Sequence, residues 1–275
     1  MSFLSKKNIT RENLVAFFYK YVCKVYEKIS TFYENIFLLK CKPQKNVLLK
    51  GIFKIKIKKI FNIKDIDNIH FINVNRYLTI RTLSDEKLKS LIEEIFDNRI
   101  RNIITEKTGF NFSIDYFIFY DRKYIPREEK EVSTLKQAYS YRWHFDKPNS
   151  GNMLKIFLPV NITCEHGPLE AIDSSLSKKL RSPKNIKISE KRTYFVGEKD
   201  VIYGLNPTKC LHRDGIPREK NIATQMMFQL NPYKEWAINN NLFRRKTSLN
   251  NKLGIWTTEP KFPFFAYLFD KRISF

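Results

Sequence analysis

Glycine is scarce in this chain, eight among 275 residues. The glycine-rich loops that cradle phosphates are accordingly missing: there is no G-x-x-x-x-G-K loop and no G-x-G-x-x-G turn. No G-x-S-x-G nucleophile elbow occurs either. Cysteine is as sparse. Cys23, Cys41, Cys164 and Cys210 are scattered without a C-x-x-C pair, which argues against a zinc knuckle or a dense disulfide framework and for reduced thiols in a cytosolic protein. Acidic residues are outnumbered, 28 Asp and Glu against 50 Lys and Arg, and no pair of them stands out as a hydrolase dyad. No apolar run reaches the roughly 18 residues a membrane-spanning helix needs. The opening Met1-Ser2-Phe3-Leu4-Ser5-Lys6-Lys7 lacks the order of a signal peptide.

What is present begins with apolar bulk. Hydrophobic residues make up 43%, including 23 Phe and 14 Tyr, enough for the core of one large domain or of one domain with an extension. The net charge of +22 draws the chain toward anionic partners. No RRM, KH or zinc-finger signature accompanies it, so nucleic acid is not the expected partner. The wealth of Lys, Ile, Asn and Phe also fits an AT-rich coding bias.

Residues 1–80 read as a basic extension on or next to a main domain at 81–275. Residues 1–60 hold fourteen Lys or Arg and three Glu. A helix is expected from Arg11, capped by Thr10, to about Lys40, with a break near Ser30-Thr31. Leu14, Phe17, Phe18, Tyr21, Val22, Val25 and Ile29 form its apolar stripe. Phe53-Lys54-Ile55-Lys56-Ile57-Lys58 alternates strictly, as a half-buried strand with a lysine face does. Two readings stand: a platform on anionic lipid, or a helix packed on the main domain with its lysines solvated.

Further on, Ser84 can cap a helix that carries Leu88, Leu91, Ile92, Ile95 and Phe96, runs to about Lys107 and stops at Gly109. Asn111 to Tyr120 is a strand by composition. Asp121 to Lys136 is charged and reads as a covering loop, and Gln137 to Asp146 as a returning strand. Near the end, Trp236 to Arg245 reads as a short helix or extension, followed by an aromatic run from Phe262 to Phe269.

The chemistry centres on Tyr141-Arg142-Trp143-His144-Phe145-Asp146. His144 and Asp146 are two apart, so on a strand both point to one face and can grip one metal ion. His212, in Lys209-Cys210-Leu211-His212-Arg213-Asp214-Gly215, is the natural third ligand. Two histidines and one carboxylate on one face of a metal leave the opposite positions open, which suits non-haem Fe(II) working with O2. His166 precedes Gly167-Pro168 and reads as a turn residue, and Trp143 as packing beneath the metal segment. No role is assigned to His70.

Between the ligands lie Gly167-Pro168-Leu169-Glu170 with a small-residue turn after it, and Val196-Gly197-Glu198-Lys199-Asp200-Val201 before the distal histidine. With Trp143-His144-Phe145-Asp146, this order resembles the phytanoyl-CoA hydroxylase family of Fe(II)- and 2-oxoglutarate-dependent oxygenases, over residues 84–232. The resemblance implies a mainly β, α+β fold built on a double-stranded β-helix, a jelly-roll barrel with flanking helices and the metal inside one open end. It implies His144, Asp146 and His212 as iron ligands, with 2-oxoglutarate and O2 as co-substrates. The reaction it implies is hydroxylation of a C–H bond in a small organic, lipid or glycan-type substrate, with succinate and CO2 as co-products. A carboxylate at position 146 favours hydroxylation over halogenation within that resemblance.

The chain departs from the family at the clamp for the far carboxylate of 2-oxoglutarate. The family places an arginine near the start of the final strand, where this sequence has Asn221, Ile222 and Ala223. A dicarboxylate needs a cationic partner, and Arg218, Lys220 and Lys155 are the candidates. Asp214 could accept a hydrogen bond from Arg213 or Arg218, or repel the co-substrate. The alternative is a barrel without turnover, a binding module that docks on anionic membrane or glycolipid through the basic N-terminal region. Either way a cytoplasmic protein is expected, with peripheral membrane contact in the second reading.

Overall fold

The computed structural model describes residues 25–58, 70–75, 77–126, 142–146, 150–180, 191–198, 200–240, 242 and 271–275. Two long antiparallel strands form the spine, β4 (Asn111–Lys123) and β12 (Ile222–Tyr233). Both are rich in aromatic and branched side chains, which fit a pleated, buried surface. On its other edge β12 pairs with β5 (Leu154–Pro159), then come β10 (Val201–Leu205) and β1 (Ile52–Lys56), all antiparallel. β4 also pairs near its C-terminal end with β3 (Leu78–Thr82), itself paired with β2 (His70–Asn75). Near its N-terminal end β4 meets β13 (Ala237–Asn239), which is followed by β14 (Arg272–Ser274).

A smaller sheet joins β11 (His212–Arg213), β7 (Leu169–Ala171) and β8 (Thr193–Phe195). A short pair, β6 (Asn161–Ile162) with β9 (Gly197–Glu198), stands beside it. The chain passes from β4 to the small sheet at His144, back to β5, out to β7 and β8, back to β10, out to β11 and home to β12. That alternation between two sheets is the winding of a double-stranded β-helix.

The alternation of side chains divides the large sheet. Ile156, Leu158, Met226, Phe228 and Phe119 share a core with the helices Asp85–Ile95 and Asn98–Thr108. Phe157, Met227, Tyr116, Ile118 and Tyr120 face the other way and pack with Leu169, Ala171 and Phe195 of the small sheet. The barrel interior lies between them. β1 behaves as its alternation dictates: Phe53 and Ile55 are buried, Lys54 and Lys56 exposed.

Several expectations are corrected. The helix after Ser84 is two helices, because Asp97 starts the second: its Oδ1 accepts a hydrogen bond from the Ile100 N–H at 2.8 Å. β4 runs past Tyr120 to Lys123, so Asp121 and Arg122 belong to the strand and not to a loop. Residues 142–146 form no continuous strand; His144 makes an isolated bridge. Ala237–Asn239 is a strand, where the sequence suggested a helix or extension. The expected helix over 11–24, the loop over 127–136 and the aromatic run 262–269 lie outside the described residues.

The helix α1 (25–37) runs through Ser30-Thr31 without a break. It docks by polar contacts on the turn that leads into β5. Glu34 accepts hydrogen bonds from the Ser150 hydroxyl and, at 3.0 Å, from Asn152 Nδ2. Thr31 Oγ1 accepts from the Gly151 N–H at 2.7 Å. Burial pushes the Glu34 carboxyl up to about 7, against the opposing pull of Ser150, Asn152 and Lys209. The folded chain therefore keeps a proton that the unfolded chain gives up near 4.5. Its stabilising effect is complete below that value and fades as the pH rises to about 7, by about 3 kcal/mol. Glu34→Gln keeps the acceptor and removes the titration. Measured against wild type by denaturant unfolding, this variant should gain relative stability between pH 4.5 and 7; a pH-independent difference would show that Glu34 stays charged.

Candidate metal centre

His144 and His212 come from segments 68 residues apart and meet as a backbone pair. Each donates its N–H to the other's carbonyl, at 3.0 and 3.1 Å. Asp146 is held by its own N–H, which donates to the Pro207 carbonyl at 3.0 Å. The three ligand atoms, two imidazole nitrogens and one carboxylate oxygen, lie within 4.8 Å of one another. Nε2 of each histidine is 3.4 Å from Asp146 Oδ1.

Backbone contacts orient both rings. Nδ1 of His144 is 2.7 Å from the Arg142 carbonyl, and Nδ1 of His212 is 3.0 Å from the Cys210 carbonyl. A carbonyl only accepts, so each Nδ1 carries a proton, and each Nε2 is the ring atom turned toward Asp146. Metal-binding histidines are commonly fixed in this way. Cys210 itself is not a ligand; its thiol contacts the Lys50 carbonyl, and burial pushes it up to about 12.

Lys155 completes the cluster, its Nζ 2.5 Å from Asp146 Oδ2. Burial opposes the charge on Asp146, but Lys155 and then His212 outweigh it and hold the carboxyl well below the usual range. The carboxylate is thus kept ionised, with one oxygen on the ammonium and the other facing two imidazoles. Burial lowers the His144 imidazole, and the Asp146 carboxylate more than reverses that.

Of the three proposed clamp residues, Lys155 alone joins this group. Arg218 is 74% exposed and pairs with Glu165 at 2.5 Å. Lys220 is exposed on the same turn, with φ 69°. Arg213 pairs with Glu170 at 2.7 Å, so neither Arg213 nor Arg218 answers Asp214. His166 makes local contacts with Thr163 in a 3-10 turn, Cys164–His166. Trp143 packs with Ile172, Leu180 and Leu211, with Arg192 and Arg213 over its ring.

The residue that answers Asp214 is one the sequence reading passed over. Arg122, on β4 and 0% exposed, places Nη1 3.6 Å from Asp214 Oδ1 and donates to the Gly215 carbonyl at 2.5 Å. Its Nε and Nη2 have no hydrogen-bond partner, nor do Asp214 Oδ1, Gln225 Oε1 and Gln229 Nε2. Buried polar groups are nearly always paired, so unpaired ones gathered in one barrel mark a place for a polar ligand or water. Alternation could have revealed Arg122, because it continues the inward series Tyr116, Ile118, Tyr120. Tyr120 stays a hydrogen-bonding phenol: burial raises it, and its oxygen accepts from Gln225 Nε2 at 2.9 Å.

No protein-family model matches this sequence, and no curated protein does either. Among solved structures it is similar to the non-heme α-ketoglutarate-dependent epimerase SnoN from nogalamycin biosynthesis, at 11% identity and TM-score 0.46, over 68% of this chain and 79% of that one. It is also similar to HygX from Streptomyces hygroscopicus with nickel, 2-oxoglutarate and hygromycin B bound, at 10% identity and TM-score 0.44, over 70% and 87%. An oxidoreductase of the 2OG-Fe(II) oxygenase family from Burkholderia pseudomallei gives 8% identity and TM-score 0.44, over 68% and 86%. Likeness at this level assigns neither family nor activity to the chain.

The triad makes a direct prediction. The wild-type chain should bind one Ni(II) or Fe(II), read by calorimetry or metal analysis after desalting. Asp146→Ala and His212→Ala should each weaken binding by about a hundredfold or more. Retained binding in both variants, with unchanged melting curves, would place the metal elsewhere.

Proposed function

We propose that this chain is an Fe(II)- and 2-oxoglutarate-dependent dioxygenase, similar to the phytanoyl-CoA hydroxylase family, that hydroxylates a C–H bond of a small organic, lipid or glycan-type substrate in the cytoplasm. The observation that carries this reading is the convergence of His144, Asp146 and His212 beside a polar barrel interior. The donor set fits Fe(II): two imidazole nitrogens and one carboxylate, a set that leaves other metal positions for co-substrates. When bound, iron with 2-oxoglutarate and O2 supplies the oxidising chemistry, and succinate and CO2 leave as co-products.

The chain's own residues would do the rest. His144, Asp146 and His212 hold the metal. Lys155 neutralises the outer oxygen of Asp146, which keeps the carboxylate ionised without a second proton. Arg122 is our candidate for the anchor of the far carboxylate, in place of Arg218 and Lys220. It is buried, cationic, partly unpaired and one strand away from the position where the family keeps its arginine, for Arg122 stands opposite Ala223 in the β4–β12 register. Asp214 lies two residues beyond His212, so its pairing with Arg122 ties the guanidinium to the segment that carries a candidate metal ligand. Gln225 and Gln229 add inward polar atoms.

Asp214 also favours a second reading. A carboxylate already beside Arg122 competes with an incoming one, as it would in a barrel that has lost turnover. Anaerobic titration with Fe(II) and then 2-oxoglutarate separates the two. A visible metal-to-keto-acid charge-transfer band should appear, and should be absent in His144→Ala and Asp146→Ala. Arg122→Leu should raise the 2-oxoglutarate concentration at half-saturation about ten- to a hundredfold, the loss of a charged hydrogen bond, with Arg122→Lys falling between. Iron binding without a band would remove 2-oxoglutarate from the reading and leave the binding module.

A further inference from the structure

The helix α1 is turned inside out. Ser30, Thr31 and Glu34, three of its polar residues, face the body of the protein. Val25, Ile29, Phe32 and Ile36, spaced four, three and four apart, form one stripe on the outside. Phe32 is 68% exposed, and Phe37 beside the stripe 66%. Seven of the eleven large hydrophobic side chains exposed among the described residues lie between Val25 and Leu39. That is one patch, not the single scattered side chains of an ordinary surface. The helix cannot roll over to hide it, because rolling would break the contacts of Glu34 and Thr31 with residues 150–152.

The exposed charge of the segment 25–58 has one sign. All eight lysines between residues 25 and 58 are exposed, from Lys28 and Lys40 to Lys54, Lys56 and Lys58. The two acids of that stretch are drawn inward, Glu34 buried and Glu27 half-buried. A segment that exposes both an apolar stripe and its lysines fits a surface that is apolar beneath and anionic on top. A bilayer with acidic headgroups has both layers, and each basic residue near it contributes roughly 1 kcal/mol. Nucleic acid would meet the lysines but leave the stripe in water.

We propose that α1 docks this protein on an anionic lipid surface, with Val25, Ile29, Phe32 and Ile36 entering the headgroup boundary and the lysines meeting the acidic headgroups. The docking does not depend on turnover at the metal centre. The competing occupants are a segment of the chain outside the described residues and a second copy of the chain.

Co-sedimentation of the full chain with phosphatidylcholine vesicles, with and without phosphatidylserine, tests this directly. Binding is expected to the mixed vesicles and to weaken with added salt. The double variant Phe32→Ser/Ile36→Ser should bind at least about tenfold more weakly with an unchanged melting curve, since both side chains are exposed. Equal sedimentation of variant and wild type would overturn the proposal, as would equal binding to pure phosphatidylcholine. A Phe32→Cys variant gives a readout without lipid. Its labelling by a water-soluble maleimide, above the wild-type background, should be fast in solution and slow on mixed vesicles. Slow labelling in solution would mean that the stripe is already covered. Size-exclusion chromatography would then tell a second copy from the chain's own segment, and either result would sink the lipid surface.

Discussion

The alternation of side chains along β4, β5 and β12 is the constraint on which the rest depends. One parity meets the helices: Ile156, Leu158, Met226 and Phe228 build the main core. The other parity meets the small sheet, and there the same strands carry Lys155, Arg122, Gln225 and Gln229 among Phe157, Met227 and Tyr120. A slip of one residue in any of these strands would put ammonium and guanidinium groups into the helix core and isoleucines into the barrel. The apolar parity therefore holds the polar parity in register. Stability and site are two faces of one sheet.

The polar parity is costly to keep. Burying an ion pair such as Asp146–Lys155 gives little net stability, because desolvation offsets the attraction. The interior further holds unpaired atoms on Arg122, Asp214, Gln225 and Gln229. Compare Asp115 on the same strand β4, nearer its other end: it accepts from Ser113, Asn231 and Asn239 and lies near Arg272. There a buried carboxylate is closed on nearly all sides and joins strands together. Around Asp214 the polar groups are left open. At the Asp115 end one unpaired atom remains, Asn231 Oδ1, whereas around Asp214 several gather on facing side chains, which is why those groups read as facing a ligand.

Legibility in the sequence follows the range of the interaction. Alternation in Phe53–Lys58 is local and appears in the structure as the sequence suggests, whereas His144 and Asp146 come together beside His212 without the strand that the sequence suggests. The candidate ligand His212 was legible because its neighbours follow a recognisable order. The break at Asp97 was missed because the apolar pattern continues across it to Ile100 and Ile104 while only one capping side chain marks the new start. The end of β4 was misread because the charges of Asp121 and Arg122 resemble a loop. In fact each finds partners within the sheet or the barrel, Asp121 in Arg81 and Thr224 and Arg122 in Gly215 and Asp214. The outward apolar face of α1 was invisible, because periodicity reveals that a stripe exists and not which side docks.

Arg122 shows why a motif search along the chain has a limit that geometry does not. The family resemblance looks for a cation at a set distance after His212, on the final strand, and finds Ile222 and Ala223. Strand neighbours are not sequence neighbours. In the β4–β12 ladder Ala223 faces Arg122, and Ile222 faces Lys123. Of these two basic residues one points inward and is buried and the other is exposed, again by alternation. The small side chain at 223 leaves the long one at 122 room to reach Asp214 and Gly215 from the adjacent strand. On the reading proposed for Arg122, a cation keeps its place in the barrel although it stands about a hundred positions earlier in the sequence, because strand register and not sequence distance sets what lies side by side.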